Sequence, residues 1–157
     1  MDALLRGGLA GLAGTAAMSG LMAAGHAAGL LGTPPPEVIT ERVQEAAGVR
    51  DDLPEPAFTA SWVAAHAAFG AAAGAGYAVV RPLLPASALA AGLLWGGAVW
   101  AVSYLGLMPA LGLYPPPGRD APGRVGVMVA AHGVYGVTVA SAERALARGA
   151  YRVSAAL

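Results

Sequence analysis

Four long apolar runs alternate along the chain with short polar or proline-rich stretches. They extend from about Gly7 to Leu31, Phe58 to Val80, Ala86 to Met108 and Val125 to Ala142. At 1.5 Å per residue the first of them alone reaches across a ~30 Å hydrocarbon core. Ala-rich triplets near Ala23 to Ala28 resemble a signal-peptide cleavage site, but the run is too long and too glycine-rich for an h-region, so it reads as a retained helix. Thr33-Pro34-Pro35-Pro36 then stops the first span. From residue 36 to about 48 the pattern becomes amphipathic, with Glu37, Glu41 and Glu45 on one stripe and Ile39, Val43 and Ala46/Ala47 on another. This segment is expected to be a short interfacial helix with a solvated acidic face. The predicted fold is an all-α integral membrane protein of four transmembrane helices plus that insertion, with residues 1–157 forming one membrane domain.

The pattern repeats. Ala64-Ala65-His66-Ala67-Ala68-Phe69-Gly70 returns as Ala130-Ala131-His132-Gly133-Val134-Tyr135-Gly136, and Ser19-Gly20-Leu21-Met22 is matched by Leu105-Gly106-Leu107-Met108. A triple proline follows both the first and the third span. Spans one and two therefore correspond to spans three and four, as two parallel-related helical hairpins about a pseudo-twofold axis along the membrane normal. Small residues four apart, at Gly7/Gly11, Thr15/Ser19, Gly25/Gly29 and Gly92/Gly96, mark faces for close helix contact. Gly70, Gly74, Gly92, Gly96 and Gly136 are the expected helix-packing positions.

Composition fits this picture. The chain is 57% hydrophobic and only 11% charged, with mean hydropathy +0.60, whereas a soluble domain carries about 25% charged residues. The formal net charge is zero, which gives nucleic acid no electrostatic foothold. The absence of cysteine excludes disulfides, thiolate metal sites and cysteine nucleophiles. Placed by the spans, Arg6, Arg81, Arg144, Arg148 and Arg152 fall on one side and Arg42, Arg50, Arg119 and Arg124 on the other. That excess favours cytoplasmic termini and an outward-facing insertion.

The candidate chemistry lies in the histidines, because an ionisable group inside an apolar span is a site hypothesis by default. By span counting, His66 and His132 sit at equal depth, roughly 11–12 Å below the outer surface, and His26 at roughly 8 Å. Such histidines are expected to be neutral and hydrogen-bonded, or else bound to something. In the leading reading each imidazole binds a neighbouring helix, at Thr15, Ser19, Ser103, Tyr104 or a backbone carbonyl. In a second, His66 and His132 ligate haem b, with glycines making room for the macrocycle. In a variant of this, His26, His66 and His132 form a copper or zinc site beside Met22 and Met108. A third reading is transport by an oligomer, although no carboxylate lies within the spans. Nothing resembles a nucleophile elbow, HExxH or a phosphate loop, so no enzyme is expected and no cofactor is required.

Pro35-Pro36-Glu37-Val38-Ile39-Thr40-Glu41-Arg42-Val43 after a glycine-rich span resembles bacterial inner-membrane proteins of unknown function, the YagU-like group. So does Ser103-Tyr104-Leu105-Gly106-Leu107-Met108-Pro109-Ala110-Leu111-Gly112 before a proline loop, together with the Ala-His-x-x-Tyr-Gly of span four. The resemblance spans about Gly8 to Gly136 and implies a multi-pass protein of the bacterial inner membrane. It carries no activity. The functional expectation is a structural, interaction or accessory subunit whose partners are the lipid bilayer and either its own copies or another membrane protein.

Overall fold

The computed structural model describes residues 1–154, with side chains as far as Gly149; Arg152, counted above among the arginines of one side, lies outside the described side chains. The described residues are all-helical. They form α1 (Ala3–Ala27), α2 (Pro35–Ala46), α3 (Glu55–Val80), α4 (Ala88–Trp100) and α5 (Pro122–Ser154). A 3₁₀ turn, Arg81–Leu83, prolongs α3, and α4 runs on through a π-helical segment, Ala101–Leu107, into a last α turn, Met108–Ala110. Asp2 caps α1 by accepting the Leu5 N–H at 2.9 Å, and Ser87 caps α4. The chain leaves α1 through Gly29 and Gly32, whose φ values of +73° and +68° suit only glycine.

Among the described residues, four helical stretches are long and apolar enough to cross a membrane: Ala3–Ala27, Glu55–Leu83, Ala88–Ala110 and Pro122–Gly149. Their outer faces expose Leu9, Leu12, Leu93, Leu94, Val102, Leu105 and Val129. A water-soluble monomer rarely leaves so much contiguous apolar surface open, whereas lipid tails cover it at no cost. These four apolar helices fit a multi-pass membrane protein. The fourth extends well past Ala142, the end expected from the sequence, and Glu143 just beyond it is not solvated. It is a buried carboxylate paired with Arg6 of α1 at 3.1 Å.

Two glycine crossings set the helix positions. Where α1 passes α3, a Cβ added to Gly74 would come within 2.5 Å of Gly11 Cα, and one on Gly11 would strike the Gly70 carbonyl. Where α4 passes α5, a Cβ on Gly92 would come within 2.6 Å of Val137 Cα, and one on Gly96 would strike the His132 carbonyl. Both pairs are antiparallel. Gly70, Gly74, Gly92, Gly96 and Gly136 thus all lie at helix contacts. The two crossings use the same interlock, Gly7/Gly11 with Gly70/Gly74 and Gly92/Gly96 with His132/Gly136. In this register Gly70 corresponds to His132, one helical turn away from the register of the repeated sequence motif. His132 is therefore inside its crossing, while His66 lies one turn beyond the other.

Between the hairpins α1 packs along α5, with Gly14 against Tyr135 and Val139 and Gly25 against Val127. A twofold axis relating the hairpins would bring α3 and α4 together in the same way. They barely meet, and the order across the bundle is α3, α1, α5, α4. Helix α2 lies against α3, with Gln44 Nε2 donating to Ser61 Oγ at 2.8 Å. Pro35 is buried and Ile39 turns inward, while Val43 stays 48% exposed, so the packed face of α2 is not the expected apolar stripe. Arg50 secures the following loop, stacking 4.0 Å over Phe58 and pairing with Glu55 at 2.7 Å.

If the crossings hold the bundle together, bulk there is costly and bulk elsewhere is not. Gly11→Leu is expected to lower unfolding stability by about 2–3 kcal/mol or more in a denaturant titration of the detergent-solubilised protein. Gly20→Leu, at a position with nothing within 4 Å, is expected to leave it unchanged.

Candidate functional site

Helices α3 and α4 touch through Tyr77 and Trp95, edge to face at 6.0 Å between ring centroids. Toward the α2 end they part. Here α4 changes to π-helical geometry, which widens the helix and re-aims its side chains; such segments are frequent at functional sites. Ser103 within it donates to the Val99 carbonyl at 2.7 Å.

The gap is a cavity of 260 Å³. Thr15 and Met18 of α1 and Met128, His132 and Tyr135 of α5 form its floor. His66 and Phe69 of α3 face Ser103, Tyr104 and Met108 of α4, and Pro35 and Ile39 of α2 roof it. Phe69 is 48% exposed and marks the open side, where a membrane would place lipid. The walls are almost wholly apolar.

The hydroxyl groups are mostly committed elsewhere. Thr15 donates to the Gly11 carbonyl at 2.9 Å, Tyr135 to the Gly70 carbonyl at 2.7 Å, and Tyr104 to the Asp120 carboxylate. His132 donates through Nδ1 to Met128 O, 2.8 Å away on its own helix. The buried Nε2 of His66 has no partner among the described residues.

The α4 wall is tied to the rest of the bundle by a polar cluster. Arg124 of α5 donates to Leu31 O at 2.7 Å and to Tyr114 Oη at 3.0 Å, and pairs with Asp120 at 3.4 Å. Tyr104 stacks between Trp100 and Tyr114, with centroids at 6.0 and 5.5 Å. Burial lifts the Tyr114 phenol above its usual pKa, with Arg124 pulling it back. By residue type alone, Gly118 to Arg124 is a short polar loop. The Asp120/Arg124 spacing of one helical turn was the signal available there, but the partners Leu31, Tyr104 and Tyr114 are distant in sequence.

The structure brings His66 and His132 into one cavity, but not as sequence reasoning arranged them. Neither bonds a neighbouring helix, and the interhelical role falls to the glycines and Tyr135. Gly70 and Gly136 are filled by the crossings and make no room for a macrocycle. His26 stands apart from this cavity, its Nδ1 donating to Gly32 O at 2.6 Å and so closing the turn after α1. Among the described residues no three histidine or carboxylate side chains gather closely enough to hold a metal ion. A second, more polar pocket of 430 Å³ lies between α1, α2 and α3, with His26, Glu37 and Trp62 in its walls, and shares His66 with the first.

Fold and cavity together define a class: a small all-helical protein, with four apolar helices that fit a multi-pass membrane protein and a side-opening pocket between two of them. Residues 1–152 match the model of a family of unknown function (DUF6789), and the chain belongs to that family. An uncharacterised family is what the resemblance implied, but the match extends neither to the YagU-like group nor to bacteria in particular. No curated protein and no solved structure matches the chain.

Arg124→Met is expected to destabilise the protein by about 1–3 kcal/mol, since it strips Leu31 O and Tyr114 of a donor and leaves the Asp120 carboxylate, its side chain 5% exposed, without a counter-charge. Thermal unfolding in detergent measures this, and an unchanged midpoint would show the cluster to be dispensable.

Proposed function

We propose that this chain is a membrane-embedded binding protein, which holds a small, largely apolar molecule in the cavity between α3 and α4. The observation that carries the reading is the combination of apolar walls with two imidazoles that spend no ring nitrogen on a neighbouring helix. Ligand sites have this character, concave and mostly apolar with a few polar groups to fix orientation. Retaining an ionisable residue where lipid-like surroundings penalise it also points to function.

Holding is favoured over passage because the Tyr77–Trp95 contact closes the gap between α3 and α4 beyond the cavity. Binding is favoured over catalysis because the lining offers no carboxylate and no activated nucleophile. Resident haem is disfavoured, since the glycines beside both histidines are occupied. A protein of this kind serves as an accessory component that keeps or presents its ligand to another membrane protein. The pairing of Arg6 with Glu143 supports placing the start of α1 and the end of α5 at one face of the bilayer. The arginine excess makes that face the cytoplasmic one of a bacterial inner membrane, with α2 and the cavity in the outer half.

The test is what co-purifies. Protein extracted in mild detergent is expected to retain an apolar small molecule near one equivalent, detected by mass spectrometry of the organic extract. Ser103→Trp, which fills the cavity from the α4 wall, is expected to lose it while keeping the helical circular-dichroism spectrum. Identical extracts from the two proteins would count against the reading.

A further inference from the structure

The hydrogen-bonding state of the cavity lining carries a selection rule for its occupant. The Met128 carbonyl can only accept, so the hydrogen of a neutral His132 ring resides on Nδ1, 2.8 Å from it. Charging the imidazole in this apolar setting is costly, which keeps it neutral. Its Nε2 is then a bare lone pair, able to accept and unable to donate.

The neighbouring hydroxyls add to this bias. Thr15, Ser103, Tyr104 and Tyr135 give their hydrogens to Gly11 O, Val99 O, Asp120 and Gly70 O. None of the four is left with a hydrogen for a guest. Only His66 and Thr40, of the polar side chains in the lining, make no such bond and retain a hydrogen to offer. The cavity is poor in donors and keeps one open acceptor, His132 Nε2. A guest carbonyl would meet that lone pair unmatched, while a guest hydroxyl would satisfy it.

Shape adds a second restriction. An apolar cavity of about 150 Å³ accepts benzene, so 260 Å³ holds one substituted six-membered ring. Phe69, Tyr104, Tyr135 and three methionines, Met18, Met108 and Met128, line it. Aromatic faces and thioethers favour contact with a flat ring over contact with an alkyl chain. The opening beside Phe69 lets an apolar tail run out among lipid chains.

We infer that the cavity binds a tailed ring molecule through its hydroxyl hydrogen, a phenol or hydroquinone, and discriminates against the corresponding quinone. The inference rests on the proposal that the cavity holds a ligand, and it names that ligand's chemical class.

The experiment titrates wild-type protein in lipid nanodiscs, under anaerobic conditions, with four probes: decyl-hydroquinone, decyl-quinone, the dimethyl ether of decyl-hydroquinone, and decanol. The hydroquinone is expected to bind about tenfold or more tightly than the quinone or the ether, the size of effect that one unmatched buried polar group produces. Decanol is expected to bind more weakly than the hydroquinone, because it lacks the ring. His132→Phe is expected to bring hydroquinone and quinone to equal affinity, and Ser103→Trp to abolish binding of both.

Equal or tighter binding of the quinone in wild-type protein overturns the hydrogen-bond rule, whatever the variants do. Decanol binding as tightly as the hydroquinone overturns the choice of a ring. If none of the probes binds but an apolar molecule still co-purifies and is lost in Ser103→Trp, the ligand class falls and the binding reading stands. If nothing binds and nothing co-purifies, both fall.

Discussion

Backbone-to-backbone contact at two glycine crossings is the constraint on which the rest of this structure depends. Within lipid, apolar side chains gain little by meeting one another, so helices associate where their backbones can approach closely. Gly7, Gly11, Gly70 and Gly74 provide that approach for α1 and α3, and Gly92, Gly96 and Gly136 for α4 and α5. Each crossing is so tight that a single added carbon would meet backbone atoms. The outer faces are left free to carry leucine and valine, as the lipid-facing surface of a multi-pass membrane protein would.

Because those two crossings and the α1–α5 contact fix all four spans, α3 and α4 are not free to close on each other. They meet at Tyr77 and Trp95 and then diverge where α4 becomes π-helical. The cavity is the space this divergence leaves, roofed by α2 and braced by the Arg124 cluster. Its polarity follows from the same geometry. Hydroxyls near the crossings are spent on helix carbonyls, which leaves the ring nitrogens of His66 and His132 as the polar features of an otherwise apolar lining.

Much of the architecture was legible in the sequence. Proline triplets and apolar run lengths specify four helices, and small residues at fourfold spacing mark the contacts at Gly7/Gly11 and Gly92/Gly96, since each is a local property; the expected Gly25/Gly29 face fails at Gly29, which lies past the end of α1 with nothing within 4 Å. The packed face of α2 was not legible, because the proline turn and the Gln44–Ser61 bond decide it and they depend on where α3 lies. Nor was the role of Glu143, whose position after an apolar run looks like the start of a solvated tail until Arg6 is placed opposite it. The repeated histidine motif was found, yet its two copies lie one turn apart relative to their crossings. Sequence similarity preserved the residues, while the glycines of the partner helices, at positions 7 and 11 against 92 and 96, set the register. That difference leaves His66 beyond its crossing, facing both pockets, and fixes His132 at its own.

The claim that tight crossings hold α3 and α4 apart can be tested with paired cysteines, because the natural chain contains none. A direct disulfide requires Cα atoms within about 7 Å. Gly8→Cys with Ala71→Cys, facing one another beside the α1–α3 crossing, should oxidise readily in native membranes. Ala65→Cys with Ser103→Cys, on opposite walls of the cavity, should remain reduced and join only through a bifunctional maleimide that spans the gap. Ready disulfide formation by the second pair would mean that α3 and α4 pack together, and would contradict the account.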